Sequence, residues 1–405
     1  MDIHKLSRTI MWPNRLIFGE GSASETGAEV ARLAKGPVLI VTDSGVAQAG
    51  LLEPVQASLH DAGLRAEVFD GCEPNPTDLL VADLADRIQK GGFDCIVGVG
   101  GGSPVDTAKA AMLVATHDGS IHDYDIADSG DERIEDRMPP LLALPTTAGT
   151  ATEVSEAAVV THTGVDPPYK MGIISTYLIP TVSILDPCLT LSMPPGLTAA
   201  TGLDALSHAM EALASSREWP FAEALGLKAI EMIACALPTA FQDGQNLEAR
   251  ADMLMASTIA GLAVNHNLLG LCHAMAHQLT TCFGLPHGVA NAVLLPHVMA
   301  FNLPRAAARY AKAAKAMGCE TEGLSETEAA LRAVDAVMDL SRVVQLSGAL
   351  PPLEEAEPKL EAMVHYALHR DRCVTSNPRT PKPEDVMAVY RRVFRGEPPD
   401  KSDFG

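Results

Sequence analysis

Histidines and one aspartate recur at one-turn spacing in the second half of this sequence. In "GLDALSHAMEA", Asp204 and His208 are four residues apart, and in "GLCHAMAHQLTTCFGLPHG", His273 and His277 repeat that spacing before a short turn leads to His287. On a helix, residues four apart leave the same face. A carboxylate and three imidazoles on two helices and a loop could therefore surround one divalent cation and leave a position open for a substrate.

Other interpretations of these residue types remain open. A single helical histidine is most often a core or surface residue, and His266 and His297 have no partner at ligand spacing. Cys272 and Cys282 could supply thiolates, but their spacing is poor for zinc, and small buried thiols are common in protein cores. Three nitrogens and one oxygen suit iron(II), zinc, cobalt or nickel. We therefore expect one divalent metal, with several candidate elements.

A glycine-rich turn in the first half has the composition of a phosphate-binding loop. "IVGVGGGSPVDTAKAA" runs from an apolar strand into the glycines and serine at residues 100–103, and Pro104 begins a helix. Glycines let the backbone approach a phosphate, and the amides of a helix N-terminus favour its negative charge. Counted from Gly98, however, Ser103 takes the third glycine position of G-x-G-x-x-G, so a plain strand-to-helix turn is an equal alternative.

Two further segments favour nucleotide binding over that alternative. "TTAGTATE", residues 146–153, follows a predicted strand with hydroxyl donors for phosphate or ribose. Asp43 ends the strand "PVLIVTD", where a carboxylate can bind a ribose diol and repel a 2′-phosphate. Taken alone, Asp43 more often caps the next helix. With all three segments together, the sequence predicts a nucleotide site that prefers NAD over NADP.

The predicted secondary structure that must position these groups changes near residue 190, from alternating strands and helices to helices alone. Short apolar strands such as "PVLIVTD" and "FDCIVGVGG" alternate with helical segments in the first half, which predicts a parallel sheet covered on both faces. After the prolines at 187, 194 and 195, the chain consists of helical segments rich in Ala, Leu and Met. We predict an α/β dinucleotide-binding domain over residues 1–190 and an all-helical metal-binding and catalytic domain over residues 191–405.

Composition limits the possible partners. The chain has 405 residues, enough for two cores. Its 51 acidic and 30 basic residues give a formal charge of -21, which would repel a phosphate backbone and argues against nucleic-acid binding. The eight cysteines form no Cys-x-x-Cys pair, and no apolar run approaches the roughly 20 residues that span a bilayer. The first 21 residues contain no secretion-type apolar segment. We expect a cytoplasmic protein without membrane contact.

Six motifs, in order along nearly the whole chain, resemble the iron-containing (group III) alcohol dehydrogenases. The matching segments are "GVGGGSPVDTAKA", "ALPTTAGTATEVS", "LDPCLTLSMPP", "TGLDALSHAMEA", "GLCHAMAHQL" and "LPHGVANAVLLPHVM", followed by "CVTSNPR" near the end. The resemblance implies the dehydroquinate synthase-like fold of that family, an α/β N-terminal dinucleotide-binding domain followed by an all-α C-terminal domain. It also implies NAD as cofactor and Fe²⁺ as metal, with Zn²⁺ or another divalent ion as the alternative.

The resemblance also assigns roles to individual residues. It implies that the metal ligands are Asp204, His208, His273 and His287, and that His277 lies beside the nicotinamide as a catalytic residue. Gln278 and residues 280–282 depart from the family and would line the substrate end. The implied cofactor contacts are Asp43, Asn75, Gly101, Gly102, Ser103, Asp106, Thr146, Thr147, Thr150 and Lys170.

The function that follows is metal-dependent hydride transfer between NAD(H) and a small primary alcohol or aldehyde. Two alternatives remain at this stage: a reductase of the same fold acting on another carbonyl substrate, such as a maleylacetate-like compound or a hydroxy-acid semialdehyde, and a nucleotide-binding scaffold without turnover. Cofactor absorbance with a panel of small alcohols would separate them. We further expect a homodimer or a higher homo-oligomer.

Overall fold

A computed structural model describes residues 9–13, 15–346 and 350–401. The expectation that the first 21 residues carry no secretion signal therefore lies partly outside the described residues. The chain groups into two compact units. The first, here called the sheet unit, comprises Pro13–Pro194 and Gly244–Met255, and the second, the helical unit, comprises the other described residues. The domain boundary near residue 190 stays a prediction; the sheet unit also includes a segment from the later part of the chain.

The sheet unit is built on a six-stranded, fully parallel sheet. Its strand order is β1-β8-β5-β4-β2-β3, and a separate antiparallel pair is formed by β6 and β7. The fold class predicted from the strand and helix alternation is thus confirmed. The strands are β1 Arg15–Phe18, β2 Val38–Val41, β3 Ala66–Phe69, β4 Cys95–Gly100, β5 Leu141–Pro145, β6 Ala157–His162, β7 Tyr169–Ile174 and β8 Val182–Leu185.

Helices cover both faces of this sheet. Alternating side chains of β2 are buried on opposite faces of the sheet. Val38 and Ile40 belong to one apolar cluster, while Leu39 and Val41 belong to another. The first cluster includes residues of α1 and α3, and the second includes residues of α4 and α5. A strand buried on both faces must be apolar throughout, as the run "VLIV" is. These helices are α1 Thr26–Leu33, α2 Ser44–Gln48, α3 Glu53–Asp61, α4 Asp78–Gly91 and α5 Gly102–Thr116.

The carboxyl ends of three neighbouring strands meet at one edge of the sheet. Val41 of β2 pairs with Gly98 of β4, and Gly100 of β4 pairs with Pro145 of β5. The chain passes from β2 outward to β3 and returns on the other side of β2 with β4, so the strand order reverses here. Ligands of open α/β sheets bind at such a reversal. The three segments singled out for nucleotide binding all follow these strand ends.

The chain after residue 194 is helical, as predicted. Alanine-rich faces let the helices approach closely, and α6 packs on α7 and α10. The longest helix, α10, contains Pro296 and Pro304. The helices are α6 Pro195–Ala214, α7 Pro220–Gln242, α8 Leu247–Asn267, α9 Leu271–Phe283, α10 His287–Ala316, α11 Glu326–Val343, α12 Leu353–His369 and α13 Pro383–Phe394.

Helix α7 is long and apolar enough, by length and composition alone, to cross a bilayer. The bent pair α8 and α9 would pass the same test together. The core helices of water-soluble proteins commonly pass it too, so this result is weak evidence for a membrane span. In the described structure α7 packs against α6 and α10, and its Glu223 forms an ion pair with Lys312 of α10.

Candidate functional site

Three helices of the helical unit bring the predicted metal ligands together. Helix α6 carries Asp204 and His208, α9 carries His273 and His277, and α10 begins at His287. The close approach of α10 to α6 depends on Gly288, because a Cβ there would lie 2.2 Å from the carbonyl oxygen of Ala200. The glycine after His287 therefore allows its imidazole to reach the aspartate on α6.

The candidate ligand atoms lie close to one another. The Oδ1 of Asp204 lies 3.7 Å from Nε2 of His287 and 3.8 Å from Nε2 of His273. His208 stacks on His273 with ring centroids 4.6 Å apart, and candidate ligand atoms of Asp204, His208 and His273 all lie within 4.8 Å of one another. The four positions that the family resemblance implies as ligands thus form one cluster.

The contacts of Asn291 show what this cluster can hold. Its side-chain nitrogen lies 2.7 Å from Asp204 Oδ1, 3.1 Å from His273 Nε2 and 3.1 Å from His287 Nε2. One amide donor has only two protons, yet three acceptor atoms face it. A divalent cation satisfies one carboxylate oxygen and several imidazole lone pairs at once. The donor set therefore fits a divalent metal of the iron(II) or zinc type.

Glu211 fixes the orientation of one of these imidazoles. The Nδ1 of His273 lies 2.5 Å from Glu211 Oε2, and the Cys272 N–H donates to Oε1 at 2.7 Å. With its proton on Nδ1, the ring presents the lone pair of Nε2 toward Asp204. Burial lowers the pKa of His273 well below its usual value and raises the pKa of Glu211 to about 7. A neutral His273 is the protonation state that can ligate a metal.

His277 faces a different carboxylate. Its Nδ1 lies 2.6 Å from Oδ2 of Asp371, and its ring stacks on that of His287 with centroids 5.2 Å apart. Burial alone would raise the pKa of Asp371, but the nearby His277 and hydrogen bonds from His277 and Cys373 lower it below its usual value. An ionised Asp371 holds the imidazole of His277 by Nδ1, so that Nε2 remains for another partner.

In the predicted phosphate turn, three glycines expose backbone that lies close to neighbouring side chains. Gly100 has φ +152, and a Cβ on it would lie 2.6 Å from Cγ of Pro104. A Cβ on Gly101 or Gly102 would lie 3.3 Å from Thr147 or 3.1 Å from Thr150. Among the described residues, the buried Thr147 Oγ1 has no hydrogen-bond partner. Bare backbone at the start of α5 and an unsatisfied hydroxyl beside it fit a bound phosphate.

A chain of hydrogen bonds links three more of the predicted cofactor residues. The Asn75 N–H donates to Ser103 Oγ at 3.2 Å, and Lys170 Nζ donates to Asn75 Oδ1 at 2.9 Å. Burial lowers the pKa of Lys170 to about 8. These two hydrogen bonds place the ammonium group of Lys170 next to the phosphate turn, where a bound anion would stabilise its charge.

Three other predicted cofactor residues form hydrogen bonds within the protein: Asp43, Asp106 and Thr146. Asp43 caps α2 by accepting the Val46 N–H at 2.9 Å through Oδ1. The buried carboxylate of Asp106 accepts hydrogen bonds from Thr152 Oγ1 and the Val159 N–H. The Thr146 N–H donates to the Gly100 carbonyl at 2.9 Å. Asp43 therefore has the capping role, and its contact with a ribose remains a prediction, as do the cofactor contacts of the other two residues.

The residues Asp204, His208, His273, His277 and His287 are here called the helical cluster. Sequence reasoning missed three residues that contact it, Glu211, Asn291 and Asp371. Glu211 follows Asp204 by seven residues and His208 by three, so helical periodicity could have placed it on the same face. Asn291 follows His287 by four residues on α10 and could have been found in the same way. Asp371 is 94 residues from His277, and no local spacing pointed to it. At the expected substrate end, Gln278 is buried on α9, with no hydrogen-bond partner for Oε1 among the described residues.

Comparison with known proteins identifies the family of this chain. The family model "Iron-containing alcohol dehydrogenase" matches residues 13–187, and "Fe-containing alcohol dehydrogenase family, C-terminal" matches residues 198–394. A 1,3-propanediol dehydrogenase of Citrobacter freundii is 41% identical over 384 residues, covering 94% of this chain and 97% of the relative. An NAD-dependent methanol dehydrogenase of Bacillus methanolicus is 36% identical over 382 residues, covering 94% and 98%.

A solved structure shows the same fold. The crystal structure of a 1,3-propanediol oxidoreductase matches with a TM-score of 0.90 and 39% identity, covering 96% of this chain and all of that chain. Both units of the chain are thus covered by family models and by full-length relatives. The chain belongs to the iron-containing alcohol dehydrogenase family.

Proposed function

We propose that this protein is an NAD-dependent, iron-containing alcohol dehydrogenase that transfers a hydride between NAD(H) and a small primary alcohol or aldehyde. The observation that carries the proposal is the convergence of Asp204 Oδ1 with the Nε2 atoms of His273 and His287. Family membership supports it, as do the names of relatives that act on small alcohols, one of them NAD-dependent.

The residues of the helical cluster divide into two tasks. Asp204, His208, His273 and His287 would hold the metal, which when bound acts as a Lewis acid on an alcohol oxygen. His277 would exchange a proton through Nε2, because Asp371 holds its Nδ1 at 2.6 Å. The His277 side chain is only 9% exposed, so few water molecules can compete for that proton. The chain thus separates metal holding from proton transfer.

The predicted cofactor residues would contact different parts of NAD. Gly101, Gly102 and the Thr147 hydroxyl would contact the cofactor phosphates at the start of α5, and Lys170 would supply a positive charge. Asp43 would accept hydrogen bonds from the ribose hydroxyls through the carboxylate oxygen that does not cap α2. NAD, when bound, supplies the hydride acceptor. The protein's own contribution is binding, orientation and discrimination against a 2′-phosphate.

A substrate screen tests the proposed function. The protein is reconstituted with Fe²⁺, supplied with NAD and a panel of small primary alcohols, and followed by cofactor absorbance; the aldehydes are tested with NADH. We expect turnover with at least one member of the panel and none after the metal is removed by a chelator. Unchanged cofactor absorbance across the panel in both directions, with metal and NAD bound, would refute the proposed activity.

Replacing Asp43 by glycine is expected to relax the preference for NAD over NADP. The carboxylate at the end of β2 repels a 2′-phosphate, a cost of about 1–3 kcal/mol, comparable to an unsatisfied buried polar contact. Glycine is the suitable substitute because it is tolerated at a helix N-cap, where the loss is only a few tenths of a kcal/mol. The ratio of kcat/KM for the two cofactors measures the effect. Equal use of both cofactors by the unaltered protein would contradict it.

Replacing Glu211 by glutamine is expected to weaken metal affinity by roughly 10–100-fold, the effect typical of losing an outer partner of a ligating histidine. Glutamine can still accept a hydrogen bond, but it removes the charge that holds the proton on Nδ1 of His273. Metal dissociation, followed with a chromophoric chelator, measures the change. If the variant holds metal as tightly as the unaltered protein, Glu211 has only a packing role.

We also propose that the enzyme works in the cytoplasm as a homodimer or higher homo-oligomer. The structure describes all eight cysteines, and none of them forms a disulfide bond, which suits a reducing compartment. Light scattering on the purified protein measures the assembly, and fractionation of its source cells measures the location.

A further inference from the structure

A second cluster of two histidines and a carboxylate lies in the sheet unit. Asp78 is the first residue of α4, His122 lies in the short 3-10 turn Ile121–Tyr124, and His162 ends β6. One candidate ligand atom from each lies within 4.8 Å of the other two. None of these residues belongs to the cofactor turn or to the helical cluster, so the proposed dehydrogenase reaction leaves the group without a role.

The carboxylate of Asp78 is the centre of this group. Its Oδ2 lies 2.8 Å from His122 Nε2 and 3.6 Å from His162 Nδ1. Thr163 holds it in place, because its hydroxyl donates to Oδ1 at 2.6 Å and its N–H donates to Oδ2 at 3.2 Å. The side chain is only 7% exposed. A nearly buried carboxylate is thus fixed with one oxygen toward two imidazoles.

The two imidazoles are stacked on each other. His122 and His162 lie parallel, with centroids 4.2 Å apart and an interplanar angle of 10°. In the helical cluster, His208 and His273 are stacked similarly, at 4.6 Å and 16°, beside Asp204. The same combination of one carboxylate and a stacked imidazole pair therefore occurs in both units.

We propose that Asp78, His122 and His162 bind a second divalent cation of the zinc class, with water completing the coordination. Two nitrogens and one carboxylate oxygen suit such an ion, and a single cation satisfies all three at once. The His122 side chain is 43% exposed and that of His162 is 18% exposed, so the ion and its water ligands can reach the site from solvent.

Binding requires changes at two hydrogen bonds. The direct contact of 2.8 Å between His122 Nε2 and Asp78 Oδ2 would be replaced by coordination of both atoms to the cation. His162 Nδ1 accepts the Gly164 N–H at 3.1 Å, and a bound cation would replace that proton donor. Gly164 is exposed, so its N–H can bond to water instead. The cation would then link the N-terminus of α4 to the end of β6, next to the backbone bridge between Thr77 and Thr161. We expect it to stabilise the sheet unit by mass action.

Metal counting on single-site variants tests the proposal. Untagged protein is stripped of metal and titrated with Co²⁺, and bound metal is counted by equilibrium dialysis and by visible absorption. We expect two equivalents per chain in the unaltered protein and one in His122→Ala and in His162→Ala. His273→Ala should also bind one equivalent, but in the sheet unit, at the site that His122→Ala and His162→Ala have lost. The double variant His162→Ala/His273→Ala should bind none.

Control variants and checks of the fold distinguish loss of the second site from unfolding. His60→Ala is the matched control, because His60 is an exposed histidine of the sheet unit whose Nδ1 lies 3.5 Å from Asp61 Oδ1, and it should keep two equivalents. Circular dichroism and NAD binding check the fold of each variant, and Asp78→Asn, which preserves the shape of the side chain, should also lose one equivalent. A single equivalent in the unaltered protein, or two in a folded His162→Ala variant, would overturn the second site. Neither result would affect the dehydrogenase proposal, which rests on the helical cluster.

Discussion

Replacing His273 by alanine is expected to abolish metal retention at the four candidate ligands Asp204, His208, His273 and His287 and, with it, alcohol oxidation. The change removes an Nε2 atom 3.8 Å from Asp204 Oδ1 and leaves Glu211 without its imidazole partner. We expect activity to fall by more than about 100-fold, the upper end for loss of an outer partner of a ligand. His287→Ala should behave in the same way. Metal content by elemental analysis, which we expect to fall by one equivalent per chain, and turnover with NAD are the two measurements.

The surface histidine His365 supplies the control for this experiment. It lies exposed on α12, and its replacement by alanine should leave metal content and rate unchanged. The sheet unit of His273→Ala should remain folded, because no candidate ligand of the helical cluster belongs to it; retained NADH binding would show this. Full occupancy of the helical cluster in His273→Ala or in His287→Ala would reject the ligand assignment.

Replacing His277 by alanine is expected to slow turnover by roughly 10²–10⁴-fold, the range typical of losing a proton-transfer group. The variant should still hold its metal and bind NAD, because a fourth imidazole would close the position that a substrate oxygen needs. The pH profile of kcat should change as well. Metal content, NADH affinity and kcat across pH measure the three parts of this expectation.

Asp371→Asn separates proton transfer from packing at His277. Asparagine keeps the shape of the side chain but removes the charge 2.6 Å from Nδ1. We expect a smaller fall in kcat than in His277→Ala, with a shifted pH profile and an unchanged metal content. An unaltered rate in both variants would mean that His277 only packs between helices. Loss of metal in His277→Ala together with retention in His287→Ala would make His277 the ligand instead.

Apolar periodicity predicted the central strands of the sheet but not its edges. The runs "PVLIVTD" and "FDCIVGVGG" became β2 and β4, whose residues are all buried. The strands β1 and β3, missed in the sequence, are the two edges of the sheet. Most of their residues are only partly buried or exposed, so no continuous apolar run marks them. Continuous apolar runs are a property of strands buried on both faces.

The residues of the candidate site were predictable from sequence where two of them lie one turn apart on the same helix. Asp204 with His208 and His273 with His277 are visible as one-turn pairs, and the glycine turn is visible as composition. The partner of His277 was not predictable from spacing, because Asp371 reaches it only through the packing of distant segments. The same holds for Lys170 and Asn75, which are 95 residues apart in sequence yet hydrogen-bonded. Long-range partners depend on tertiary structure, which one sequence does not display.

The tight packing of Thr147 and Thr150 against Gly101 and Gly102 has a consequence for how this enzyme can be redesigned. A side chain on either glycine would press on a threonine at 3.3 or 3.1 Å, so this turn tolerates few substitutions. Asp43 follows a different strand and occupies a helix N-cap that accepts several residue types. If the proposed cofactor contacts hold, libraries aimed at cofactor preference should therefore randomise the end of β2 and leave the glycine turn fixed, since a side chain there would have to displace Thr147 or Thr150.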